Sequence, residues 1–281
     1  MKKLLLSALF CASTLFAQTF TFTAIPDQDE TQLKERFSLL ANYLSKELNL
    51  DVKFVPVKSY SASIAAFRNN QVQLAWFGGL SGVRARLIVP NSIAIAQGVE
   101  DPKFHSYIIA HSSTGIEKSE TIPTAVAGKT FTFGSKGSTS GRLMPEYFLR
   151  EQFKKAPKEI FEKVGFSGNH SKTISLVQSG AYKVGAVNFK VWDRELKEGK
   201  IDTTKVKVVY KTPAYPDYQF TARGDLDKTY GEGFTAKLQK AILNIKDEKI
   251  LNAFPRTGFI EAKNKDFDPI LNVGREIGLI D

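Results

Sequence analysis

Thr130-Phe131-Thr132-Phe133 runs straight into Gly134-Ser135-Lys136-Gly137-Ser138-Thr139-Ser140-Gly141, and a helical pattern from Arg142 to Phe153 follows. A β-branched and aromatic strand that empties into a glycine- and hydroxyl-rich turn and then opens a helix aims several groups at one point. These are free backbone N–H groups, the positive end of a helix dipole and the hydroxyls of Ser138, Thr139 and Ser140. Such a turn can solvate an oxyanion. Ser and Thr also cap many ordinary helices, so the stretch alone serves either purpose.

Strand and helix patterns alternate on both sides of it. Towards the amino terminus, Phe20 to Ile25 alternates apolar residues with Thr, Leu33, Phe37, Leu40, Leu44 and Leu48 recur at helical spacing, and Val52 to Val55 is strand-like. Tyr60 to Arg68 reads as helix, Val72 to Phe77 as buried strand, Leu80 to Ile88 as helix, and Ile93 to Ala96 and Tyr107 to Ala110 as strands. Towards the carboxyl terminus, strands Lys163 to Phe166, Val184 to Asn188 and Lys205 to Tyr210 alternate with helices Ser171 to Gln178 and Val191 to Glu198. This alternation predicts an α/β fold with mainly parallel sheets and a ligand crevice at the carboxyl ends of the strands.

Polar residues at Ser112-Ser113-Thr114-Gly115 interrupt the pattern. After Thr212-Pro213 the chain offers one more strand, Gln219 to Ala222, and helices at Thr235 to Ile245 and Phe267 to Ile277, which lack the strands for a third domain. The expectation is two α/β lobes, residues 18–112 with 213–281 and residues 113–212, joined by two crossovers with a cleft between them.

The first residues carry an address. Met1-Lys2-Lys3, the apolar run Leu4 to Phe16 and the small-residue point at Ala17-Gln18 read as a secretory signal, residues 1–17, with the periplasm as destination. Cys11, the only cysteine, falls within that segment, so the mature chain is expected to have no disulfide or thiol chemistry. Taking Lys2 and Lys3 from the 39 basic residues leaves 37 against 29 acidic ones, a formal net of +8. The basic residues stand singly among acids, as in Arg194-Glu195-Leu196-Lys197-Glu198, which describes a solvated face rather than a nucleic-acid module.

Three motifs resemble the phosphonate- and phosphite-binding periplasmic receptors of ABC importers. They are Leu74-Ala75-Trp76-Phe77-Gly78-Gly79-Leu80-Ser81-Gly82, then Phe133-Gly134 through Ser138-Thr139-Ser140-Gly141 with Pro145-Glu146-Tyr147-Phe148, then Gly168-Asn169-His170, in family order and spacing. The opening Ala24-Ile25-Pro26-Asp27-Gln28-Asp29-Glu30 is similar to a branch often given a selenate-binding label. The resemblance implies a two-lobed type II periplasmic binding fold, a small oxyanion as ligand, an inner-membrane permease as partner, a monomer, and no cofactor or metal. By the same resemblance, Ser138, Thr139 and Ser140 hold the anion with His170 and Tyr60, and Asp217 is the acidic residue on the returning crossover, its register open by one. Trp76 and Phe77 are implied as cleft wall, with core packing as the alternative, and Phe104 and Asn188 complete the implied set.

Elementary chemistry fits these roles. An oxyanion leaving water needs fixed donors, and hydroxyls, helix amides, an imidazole N–H and a phenol supply them without a formal positive charge. A carboxylate at Asp217 repels the anion unless a proton lies between them, which favours a ligand with a P–OH over a sulfate- or selenate-like ion. Phe104 stands where the aminoalkylphosphonate receptors usually have a tyrosine, and Lys190 stands near where a glutamate could receive an ammonium, so a small tail-less oxyanion is expected. His105 and His111 read as surface or strand-edge residues. Ser140, His170 and Asp217 are the residue types of a hydrolytic triad, but Ser140 lies outside a Gly-x-Ser-x-Gly elbow, so a receptor is preferred to an enzyme. A module that signals to a membrane histidine kinase is a third class that the residues leave open.

Overall fold

A computed structural model describes residues 19–281, and the expected signal peptide lies outside the described residues. The chain begins β1 (Phe20–Ala24), α1 (Glu30–Leu48), β2 (Val52–Phe54), α2 (Tyr60–Arg68), β3 (Leu74–Phe77), α3 (Gly79–Ile88), β4 (Ile93–Gly98). Helix α1 shows how sequence sets these elements. Asp29 caps it by accepting the Gln32 N–H at 3.1 Å, Asn49 ends it in the left-handed region at φ 55°, and Leu33, Phe37, Leu40, Leu44 and Leu48 form its buried stripe. Each such side chain contributes roughly 1.5–3 kcal/mol by leaving water.

The chain then crosses into a second sheet with β5 (Ser106–His111), β6 (Thr130–Phe133), α4 (Met144–Phe153), α5 (Pro157–Ile160), β7 (Lys163–Phe166), α6 (His170–Gln178), β8 (Val184–Asn188), α7 (Phe189–Lys197) and β9 (Val206–Lys211). It returns through β10 (Gln219–Ala222), α8 (Leu226–Tyr230), α9 (Phe234–Leu243), α10 (Glu248–Ala253), β11 (Phe259–Glu261) and α11 (Asp268–Glu276). The first sheet has strand order β11-β4-β10-β3-β1-β2 and the second β7-β6-β8-β5-β9.

Two expectations are corrected. The sheets are mixed, not mainly parallel: β1 pairs parallel with β2 and β3, and β6 with β7 and β8, but β10 runs antiparallel to β3 and β4, and β5 antiparallel to β8 and β9. A strand that enters a sheet directly from a crossover, with no helix to turn it round, arrives in the opposite sense. The first crossing also lies earlier than residue 112, because β5 is hydrogen-bonded within the second sheet. Phe104 and Tyr215 pair at the crossing itself, exchanging N–H···O bonds of 2.9 and 3.0 Å. The final helices return to the first lobe, where α9 packs on α1, α11 on α3, and β11 extends the sheet edge beyond the elements expected from sequence.

Candidate functional site

The stretch from β6 into α4 bends differently from an ordinary helix start. Thr139 to Leu143 form a π-helical turn, in which the Leu143 N–H reaches the Ser138 carbonyl at 3.0 Å and Ser138 Oγ caps the Gly141 N–H at 2.9 Å. Insertions of this kind often mark functional sites, and the first amides of the turn have no intrahelical acceptor. Two glycines make room for it. A Cβ on Gly141 would stand 3.0 Å from both the His170 ring and Ser138 Oγ, and one on Gly137 would stand 3.1 Å from Tyr60 Cβ.

All ten expected site residues are at most 2% exposed, and the lobes meet over most of them. The Leu80 N–H, in the first turn of α3, donates to Thr139 Oγ1 at 2.9 Å, Ser81 Oγ donates to the Gly137 carbonyl at 2.9 Å, and the His170 N–H donates to the Asp27 carbonyl at 3.0 Å. Asp217 Oδ1 accepts the Gly79 N–H at 2.9 Å, which ties the acid of that crossover to the start of α3. Three polar atoms of this cluster are buried without a hydrogen-bond partner: Tyr60 OH, His170 Nε2 and Asp217 Oδ2. Buried polar atoms are rarely left unpaired, and three around one cleft mark a place built for a guest.

The protonation states follow from the surroundings. Burial lowers the His170 pKa to about 4, with Asp27 opposing, so the ring is neutral at neutral pH. Its Nδ1 accepts the Asn188 N–H at 3.3 Å, which leaves the proton on Nε2 and makes the unpartnered nitrogen a donor. Burial raises Asp217 to about 7, against the lowering effect of the Gly79 N–H and the Thr139 and Ser140 hydroxyls. Burial also pushes the Tyr60 phenol well above its ordinary value, so it too is a donor. The cluster therefore offers neutral donors and one carboxyl poised near neutrality.

The remaining expected residues separate into two groups. Asn188 caps α7 through Oδ1, which accepts the Lys190 and Val191 N–H groups at 2.8 and 3.2 Å, while its Nδ2 donates to Tyr218 OH at 2.9 Å. Trp76 stacks on Tyr218 with ring centres 5.4 Å apart, and Phe104 lies 5.4 Å from the same tyrosine and 4.8 Å from Phe189. These form an aromatic back wall. Phe77 does not join it. Its ring meets Phe67 of α2 at 5.7 Å, on the other face of the strand, so the expectation of Phe77 as cleft wall is corrected to core. Lys190 pairs with Glu100 across the lobes at 3.3 Å, His105 Nδ1 lies 2.9 Å from the Thr212 carbonyl, and His111 Nδ1 accepts the Ser113 N–H at 3.1 Å.

Sequence reasoning passed over four participants. Asp27, 3% exposed and 3.6 Å from the Arg36 guanidinium, lies beyond the carboxyl end of β1, where the crevice rule points. Gly79 lends only an N–H. Asp101 and Arg256 form a buried bidentate pair, at 2.7 and 2.9 Å, that braces the crossovers: the Asp101 carbonyl accepts the Asp217 N–H at 3.0 Å, and the Arg256 guanidinium lies 5.3 Å from the Tyr218 ring. No local pattern announces a pair 155 residues apart.

Residues 22–267 match the family described as ABC transporter, phosphonate, periplasmic substrate-binding protein. A probable ABC transporter phosphite binding protein, PhnD1 of Prochlorococcus marinus (strain MIT 9301), is 42% identical over 264 residues, covering 92% of this chain and 89% of that one. The structure of that organism's PhnD1 in complex with methylphosphonate superposes with a TM-score of 0.89, covering 93% of this chain and 99% of the other. A binding component of a Pseudomonas aeruginosa ABC phosphonate transporter, 22% identical, shares the fold with a TM-score of 0.80 over 91% of this chain and 85% of its own. The strand-turn-helix cradle, the two mixed sheets and these likenesses agree, and the chain belongs to the phosphonate-type periplasmic substrate-binding proteins of ABC transporters.

Proposed function

We propose that this protein captures a small phosphorus oxyanion of the phosphite or methylphosphonate type between its lobes and delivers it, in the closed state, to an inner-membrane permease. One observation carries the reading: the buried polar atoms without a partner include two donors, Tyr60 OH and His170 Nε2, and the acceptor Asp217 Oδ2, on side chains grouped around the turn from Gly137 to Gly141. A fully deprotonated tetrahedral ion can satisfy both donors but offers nothing to a carboxylate, whereas a ligand that shares one proton with Asp217 satisfies all three. Selenate and sulfate are disfavoured on that ground above about pH 7, where Asp217 has no proton of its own to give. The hydroxyls of Ser138, Thr139 and Ser140, with the amides of the π-helical turn, complete the donor set, and Asn188, Phe104 and Trp76 position it through Tyr218. We read the chemistry as binding without turnover, with the Ser138 and Thr139 hydroxyls tied into the cradle by the Gly141 and Leu80 N–H groups.

Donors from both lobes make affinity and closure one event, so the ligand can shift the open–closed balance only by its extra affinity for the closed form. Calorimetry with phosphite, methylphosphonate, phosphate, selenate, sulfate and arsenite tests the reading. Phosphite and methylphosphonate should bind at least about tenfold tighter than selenate or sulfate, a difference of about 1.4 kcal/mol. No heat from any member of the panel sinks the oxyanion assignment.

A further inference from the structure

Next to the cradle, on the solvent side of the Tyr60–Gly137 contact, lies an open groove of about 380 Å³. Its walls come from both lobes: Ser59, Tyr60 and Arg84 from one, and Ser135, Lys136 and Phe166 from the other, with no carboxylate among the lining residues. We propose that this groove is an outer capture site, where an incoming small oxyanion is held between Arg84 and Lys136 before the lobes pass it to the cradle. The proposal rests on the oxyanion-receptor reading and adds a second, transient site to it.

The two cations are placed for this. Lys136 is exposed, and its Nζ lies 5.3 Å from the Phe166 ring, which itself stands 40% exposed with the Arg142 guanidinium 5.1 Å away. Cation–π contact orients charge at the mouth without neutralising it. Arg142 is answered by Glu146 at 3.4 Å, whereas Arg84 gives its Nη2 to the Leu279 carbonyl, and neither Arg84 nor Lys136 forms an ion pair among the described residues. The field of Arg142 adds to burial in lowering the Arg84 pKa, with Asp281 opposing, so like charges face one another from the two lobes. The groove floor is the seam that opens: Ser81 Oγ holds the Gly137 carbonyl at 2.9 Å, and directly behind it Tyr60 turns its hydroxyl towards the cradle. A cleft lip of one sign raises the local anion concentration and speeds association by roughly 10- to 1,000-fold, an effect that salt screens.

Stopped-flow association of phosphite with the parent and with the Arg84→Gln/Lys136→Gln double variant, across ionic strength, tests the site. The variant should associate about tenfold more slowly at low salt with a flatter salt dependence, while its dissociation rate stays within about twofold. An association rate and salt slope equal to the parent's overturn the proposal. A second measurement does not need the cradle. Sodium sulfate titrated into the parent should move the Arg84 Nε–Hε and Gly137 amide NMR signals saturably, and the Gly137 signal should stay still in the double variant. If phosphite fails to bind at all, the receptor reading falls and this titration decides the outer site alone: a saturable shift upholds it, and no shift overturns it.

Discussion

The second lobe meets the cleft with hydroxyls, helix amides and a neutral imidazole, whereas the first meets it with a phenol, a carboxyl and a wall of stacked aromatics. The donors on the second lobe come from a short run of local sequence, Ser138 to Ser140, and from the helix that begins at His170, so one backbone geometry presents most of them. The acceptor on the first lobe comes from a long-range construction: Asp217 sits on the returning crossover, held by Gly79 and by the carbonyl of Asp101. The contrast separates two tasks. In the proposed function, one wall replaces the water around a tetrahedral anion and the other shares a proton with it.

Removing a donor from the second lobe should therefore weaken every ligand alike. Thr139→Ala deletes the hydroxyl that takes the Leu80 N–H across the lobes and leaves that amide without its partner. The expected loss is about 1–3 kcal/mol, or roughly 5- to 150-fold in affinity, of similar size for phosphite and methylphosphonate by calorimetry. Affinity equal to the parent's would reduce the turn to helix capping.

The first lobe should instead control the response to pH. Asp217 is held at about 7, so below that value the carboxyl brings the proton, and above it an added negative charge faces the ligand. Asp217→Asn can keep the bond from Gly79 through its Oδ1 and stays neutral throughout. Taking the ratio of variant to parent affinity cancels the ligand's own titration. That ratio should be flat below about pH 6.5 and should rise in the variant's favour by up to tenfold per pH unit above 7, one proton being displaced. A ratio that does not change between pH 6 and 9 removes Asp217 from contact with the anion.

These walls were unequally visible in the sequence. The cradle was legible because its pieces are neighbours: a strand, a hydroxyl run and a helix start need only local periodicity to be placed. The returning acid was approachable only through family resemblance, and its contact with the Gly79 N–H spans 138 residues. The membership of β5 was not legible at all, because an apolar run such as Tyr107 to Ala110 looks the same whichever sheet it joins, and the deciding pairings with β8 and β9 come from residues 74 to 104 positions away. A longer separation, 155 residues, hid Arg256 behind Asp101, and nothing in the run from Ser138 to Leu143 distinguishes a π-helical turn from an α-helical one.

Phe77 offers the finest division between wall and core, because it adjoins Trp76 on one strand and alternation sends the two rings to opposite faces. Trp76 reaches Tyr218, and through that hydroxyl Asn188, while Phe77 meets only the Phe67 side of the first lobe's core. Phe77→Leu keeps most of the buried volume and should lower unfolding stability by about 1 kcal/mol in urea titration. With that ring packed on Phe67 rather than on Tyr218, phosphite affinity should remain within about twofold of the parent. A tenfold loss of affinity at unchanged stability would return Phe77 to the cleft and move the boundary between the two faces of β3.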